Sequence, residues 1–114
     1  MDFKQYSEKS SRVLIFPTTS TGDLNIAPLY LALGVNGEAG ELGEKVKKVY
    51  RDKNGVFDEE STLEIKKEVG DTLWYLNQIS KQLGFTLEEA AELNLVKLES
   101  RIQREVLQSS GDNR

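Results

Sequence analysis

The sequence predicts an all-α domain of four helices joined by short loops. Three observations carry that expectation. Apolar residues recur at three- and four-residue spacing through most of the chain, turn residues cluster between those runs, and two runs open on an S/T-x-x-E signature. At 114 residues the chain has room for one core, yet is small enough to gain from oligomerisation.

Asp2 is suited to cap a first helix reaching about Ile15, with Phe3, Tyr6, Val13 and Leu14 as its apolar members. Residues 17–23, opening on Pro17 and closing on Gly22-Asp23, break the periodicity and read as a loop. A second helix begins near Ile26, tolerates Pro28 in its first turn and continues to about Arg51, with Leu29, Leu33, Leu42, Val46 and Val49 as its stripe. Asp52-Lys53-Asn54-Gly55 is turn chemistry, and Gly55 suits a left-handed cap. A third helix starts near Asp58 or Ser61, where Ser61-x-x-Glu64 matches a capping box, and ends at Gly84. Its stripe is Ile65, Val69, Leu73, Leu76 and Leu83. Thr86-Leu87-Glu88-Glu89 opens the fourth, which carries Leu87, Ala91, Leu95, Leu98, Ile102 and Val106. Residues 1–108 form a single helical domain, and 109–114 a polar tail without an apolar residue.

Composition narrows the chemistry. The net charge is −4, with no block of Lys and Arg, which argues against a nucleic-acid partner. No apolar run is long enough to span a bilayer, and the N-terminus does not read as a signal peptide, so no membrane partner and a cytoplasmic location are expected. The chain has neither His nor Cys. Catalysis would therefore rest on carboxylates, amines, hydroxyls or oxygen-bound metal.

Two stretches concentrate that chemistry. Glu38-Ala39-Gly40-Glu41 and Glu68-Val69-Gly70-Asp71 each place two carboxylates one helical turn apart, and an antiparallel hairpin would let all four converge. An ordinary solvated face accounts for Glu59, Glu60, Glu88, Glu89, Glu92 and Glu99. It accounts less well for four acids flanked by glycines and core positions, and Asp is a poor residue inside a helix. Oxygen ligands alone select Mg²⁺, Mn²⁺ or Ca²⁺, and no loop has EF-hand spacing. Gly34, Gly37, Gly40 and Gly43 sit every third residue, each costing about 1 kcal/mol against Ala in a helix interior. Either a helix packs tightly there, or backbone or ligand approaches closely. Asn94, Lys97 and Arg101 form a polar stripe suited to phosphate, although basic faces are commonly just solvated. Trp74 and Tyr75 follow Asp71 by three and four residues, where either could flank a nucleobase or serve in packing.

These residues resemble a known family. Gly37-Glu38-Ala39-Gly40-Glu41-Leu42 followed by Glu68-Val69-Gly70-Asp71-Thr72-Leu73-Trp74-Tyr75-Leu76 looks like the E-x-x-E … E-x-x-D signature of the MazG-like all-α nucleoside triphosphate pyrophosphohydrolases. Residues 94–101 are similar to its N-x-x-K-L-x-x-R segment, and residues 110–114 to the Gly-Asp-x-Arg tail of short bacterial and phage members. The resemblance implies a four-helix, bundle-like fold with helices paired across subunits. It also implies hydrolysis of an NTP or dNTP to the monophosphate and pyrophosphate, by water attack on the α-phosphorus, with two or more Mg²⁺ or Mn²⁺ ions per site. A house-cleaning role in the dNTP pool follows, with a purine dNTP such as dGTP one candidate substrate.

Carried over, Glu38, Glu41, Glu68 and Asp71 become metal ligands, and Glu38 or Glu41 accepts the water's proton. Lys97 and Arg101 hold the β- and γ-phosphates, and Asn94 bonds phosphate or sugar. Asn36 departs from the small apolar residues usual before Gly37 and could read a base edge. Base contacts from a neighbouring chain are expected, in a homo-oligomer that is a tetramer by preference and otherwise a dimer. Two other readings stand beside this one: a catalytically silent module that senses nucleotide or metal, and a structural helical dimer with a solvated acidic face.

Overall fold

The computed structural model describes residues 1–13 and 24–104. Among them the chain forms α1 (Phe3–Ser10), α2 (Ala27–Asp52), α3 (Glu59–Gln82) and α4 (Leu87–Gln103). The all-α expectation holds. The loop at 17–23, Leu14 and Ile15, Val106, the boundary at 108 and the tail lie outside the described residues.

Helix α1 opens as the sequence suggests. Asp2 Oδ1 accepts from the Gln5 N–H at 2.8 Å, and Gln5 Oε1 accepts from the Asp2 N–H at 3.0 Å. It ends at Ser10 rather than near Ile15. The hydroxyls of Ser10 and Ser11 both donate to the Ser7 carbonyl, giving the backbone a local alternative to further turns.

Helices α2 and α3 pack against each other as an antiparallel hairpin across residues 53–58. Asn54 and Gly55 take φ of 53° and 76°, and the Gly55 N–H returns to the Val49 carbonyl at 3.1 Å, the left-handed ending expected of this glycine. The start of α3 corrects one reading. Asp58 is the cap, accepting from the Ser61 N–H at 2.8 Å, so Ser61 lies inside the first turn and does not itself cap the helix. That N–H, then the Lys53 ammonium, hold the Asp58 carboxyl down at about 2. Thr86 caps α4 as expected, its Oγ1 accepting from the Glu89 N–H at 3.1 Å.

Helices α1 and α4 both lie on α3 and touch each other, and neither packs on α2. Successive turns of α3 pin the end of α1. Trp74 Nε1 donates to the Ser10 carbonyl at 3.3 Å, Asn77 Nδ2 to Ser10 Oγ at 3.4 Å, and the Lys81 ammonium to Ser11 Oγ.

The buried apolar side chains among the described residues are Ala27, Leu31 and Val49. Most of what α3 buries is polar: Ser61, Asn77, Gln78 and Ser80. The apolar stripes are present on the helices but largely uncovered. Leu29 and Leu33 on α2, and Leu93, Leu95, Val96 and Ile102 on α4, are each more than half exposed. The radius of gyration, 17.3 Å, exceeds the roughly 13 Å of a compact chain of this length. The architecture is a hairpin flanked on one side by two helices, with apolar faces turned outward.

Candidate functional site

Glu38 stands at the middle of α2, and Glu68 and Asp71 stand one turn apart on α3. The hairpin brings these three together, with one carboxylate oxygen of each within 4.8 Å of the others. Glu38 and Glu68 are half-buried and Asp71 is exposed. Burial, then the charges of Asp71, Glu68 and Glu41, raise the Glu38 carboxyl above its ordinary range, and Glu38 and Glu68 share a hydrogen bond. Carboxylates held this close resist joint ionisation unless a cation lies between them. Glu41, exposed one turn further along α2, acts on Glu38 through its charge but stands beside the converging group rather than in it.

A cavity of about 440 Å³ opens next to the group, lined by Glu38, Asp71, Trp74, Tyr75, Ser10 and Val13. Trp74 and Tyr75 meet edge to face, with ring centroids 5.0 Å apart and an interplanar angle of 89°. Burial raises the Tyr75 phenol, reinforced by the Tyr30 phenol to which it is hydrogen-bonded and by the charges of Glu38 and Asp71. Of the four glycines in α2, one is in close approach. A Cβ on Gly34 would fall within 2.6 Å of three atoms of the Tyr75 ring, whereas Gly37, Gly40 and Gly43 have nothing within 4 Å.

Helix α1 and the residues just after it contribute more than the sequence suggested. Ser10 and Val13 line the cavity, and the Tyr6 phenol is raised by burial and then by Asp71, which places it by the acidic group. No motif marks Ser10 or Val13. Tyr6, with Phe3 one of two aromatics in a helix whose other residues are polar, was the one available signal.

The α4 residues are placed differently. Asn94 and Lys97 line a separate cavity of about 480 Å³ with Phe85 and Leu93, and Arg101 is buried. One chain therefore does not bring Asn94 and Lys97 into the cavity of Glu38 and Asp71. Asn36 is exposed on α2.

The donor set suits a hard divalent cation: carboxylate oxygens alone, drawn from two rigid helices, with an exposed side open to the waters such ions retain. The sequence profile of the MazG nucleotide pyrophosphohydrolase domain matches residues 27–105, which span the whole of α2, α3 and α4 and all three acids. The chain belongs to the MazG nucleotide pyrophosphohydrolase family. A relative of similar size is the "Gene 37 protein" of Mycobacterium phage L5, 41% identical over 109 residues, covering 96% of each chain. No solved structure matches. The MazG family is metal-dependent, and among the described residues Glu38, Glu68 and Asp71 form a carboxylate group that could hold an ion. Among the described residues, no helix is long and apolar enough to cross a membrane.

Proposed function

We propose that this MazG-family chain hydrolyses nucleoside triphosphates to the monophosphate and pyrophosphate, acting on dNTPs in the cytoplasm as a house-cleaning enzyme. The observation that carries the reading is the convergence of Glu38, Glu68 and Asp71 at the mouth of a cavity walled by Trp74 and Tyr75. The acids would hold Mg²⁺ or Mn²⁺, two or more ions per site. Bound there, the metal supplies neutralisation of phosphate charge and activation of the attacking water.

The chain's own residues do the rest. Water oxygen attacks the α-phosphorus, the bond to the bridging α–β oxygen breaks, and pyrophosphate leaves. Glu38 or Glu41 takes the proton, and Glu41 is the better placed because it stands outside the ligand group. Trp74 and Tyr75 flank the nucleoside. Asn36, on the turn before Glu38, is available to a base edge, and a purine such as that of dGTP is the base we favour.

Asn94, Lys97 and Arg101 bind phosphate and sugar, and a second copy delivers its Asn94 and Lys97 to the acidic group. Their separation from that group within one chain and the open apolar stripes support this reading, in a homo-oligomer that we expect to be a tetramer. Incubation with each common NTP and dNTP in Mg²⁺ or Mn²⁺, scored for pyrophosphate, is the test. Release from at least one supports the proposal, and release from none overturns it.

A further inference from the structure

Glycine inside a helix needs a reason, and the four glycines of α2 do not share one. Three of them have open space where a side chain would be. At Gly34 the space is already filled by the Tyr75 ring, which lies against the α2 backbone one turn before Glu38. The ring is also held by the hydrogen bond with Tyr30 and by the edge-to-face contact with Trp74. Both aromatics line the cavity that opens on Glu38 and Asp71. Any side chain at position 34 must displace this ring, which is already in contact with Trp74.

We propose that Gly34 is a positioning residue of this site. It seats the Tyr75 ring against α2 and so sets the depth of the cavity beside the acidic group that receives the nucleoside. The proposal rests on the pyrophosphohydrolase reading for its ligand, while the Gly34–Tyr75 contact stands on geometry alone. Gly34 touches neither metal nor substrate and acts only through Tyr75.

The test is a double-mutant cycle of Gly34→Ala and Tyr75→Leu in the full chain, read by nucleotide KM and kcat, Mn²⁺-induced change in Tm, and emission of Trp74. Trp74 is the chain's single tryptophan, so its emission reports this cavity directly. A displaced wall at an intact metal site should raise KM for nucleotide about tenfold or more while kcat changes by no more than about threefold. The Mn²⁺-induced rise in Tm should be unchanged, and Trp74 emission should shift. With Leu at position 75 the ring is gone, and Gly34→Ala should then alter KM by less than about twofold. An equal penalty in both backgrounds would mean that Gly34 serves the helix alone, and an unchanged KM with Tyr75 present would mean that it serves nothing here. Either result overturns the proposal.

If Gly34→Ala does not fold, the double variant must fold and Tyr75→Leu alone must weaken nucleotide binding about tenfold, by quenching of Trp74, with the metal response retained. Failure of either requirement overturns it as well. A protein that binds nucleotide with the cycle coupled but releases no pyrophosphate leaves Gly34 in its role and removes only the catalytic reading. A protein that binds no nucleotide removes both.

Discussion

Replacing Asp71 by Asn tests whether the acidic group holds metal or merely tolerates its own repulsion. The change keeps size and hydrogen-bonding capacity while removing one charge from two close pairs, with Glu38 and with Glu68. At 4.8 Å, the outer limit of these separations, a unit-charge pair costs about 0.9 kcal/mol in water-like surroundings and about 3.5 kcal/mol at an effective dielectric of 20. Asp71 is exposed, so the lower figure applies, and physiological salt screens it to roughly half. Two pairs relieved therefore stabilise the metal-free protein by about 1 kcal/mol, a rise in Tm of about 4 °C for a domain of this size. Turnover should move the other way. Metal stabilisation of phosphoryl charge supplies several kcal/mol, and each ~1.4 kcal/mol is tenfold in rate, so losses of two or more orders of magnitude are expected. Thermal melts in EDTA and in Mn²⁺, run beside pyrophosphate release, read both effects on one preparation. An Asp71→Asn protein that melts lower without metal, or turns over like wild type, refutes the reasoning.

Other outcomes follow from the same geometry. Glu38 is raised in the folded state, so its share of metal-free stability is complete below its ordinary value of 4.5 and declines as pH climbs through the raised one. Urea melts of wild type against Glu38→Gln between acid and neutral pH should show that decline only in wild type, and Mn²⁺ should cancel it. Lys97→Ala should weaken nucleotide binding yet keep the Mn²⁺-induced rise in Tm; a loss of that rise would move Lys97 into the metal site. At a nucleotide concentration too low for Lys97→Ala alone to turn over, mixing Glu38→Gln and Lys97→Ala subunits should restore about a quarter of wild-type activity if sites are shared between copies, whereas unshared sites would restore none. Thr86→Ala removes the acceptor of the Glu89 N–H and should lower stability by about 1 kcal/mol by denaturant titration.

The sequence was most informative where physics is local. Helical spacing located α2, α3 and α4 to within a few residues, and Asp2, Gly55 and Thr86 act at the ends where their chemistry suggested. It misjudged the end of α1 because the hydroxyls of Ser10 and Ser11 both bond the Ser7 carbonyl, an effect that apolar periodicity does not register. It placed the α3 cap on a second possibility besides Asp58, since Ser61 satisfies the same pattern three residues on. Spacing put Glu38 and Glu41 on adjacent turns, but the register of the hairpin decided that Glu38 meets Glu68 and Asp71 while Glu41 stands aside. The contributions of Tyr6, Ser10 and Val13 depend on α1 docking onto α3, which no pattern within α1 specifies. Apolar stripes likewise tell which face avoids water without telling what covers it.

The scarcity of buried apolar side chains, Ala27, Leu31 and Val49 among the described residues, has a consequence for how the protein melts. Under the proposed assembly, unfolding converts one particle into several, and mass action enters the equilibrium. For a dimer, each tenfold increase in protein concentration adds about 1.4 kcal/mol per mole of dimer to the folded side. The melting midpoint is then a property of the solution as much as of the chain, and dilution itself acts as a denaturant.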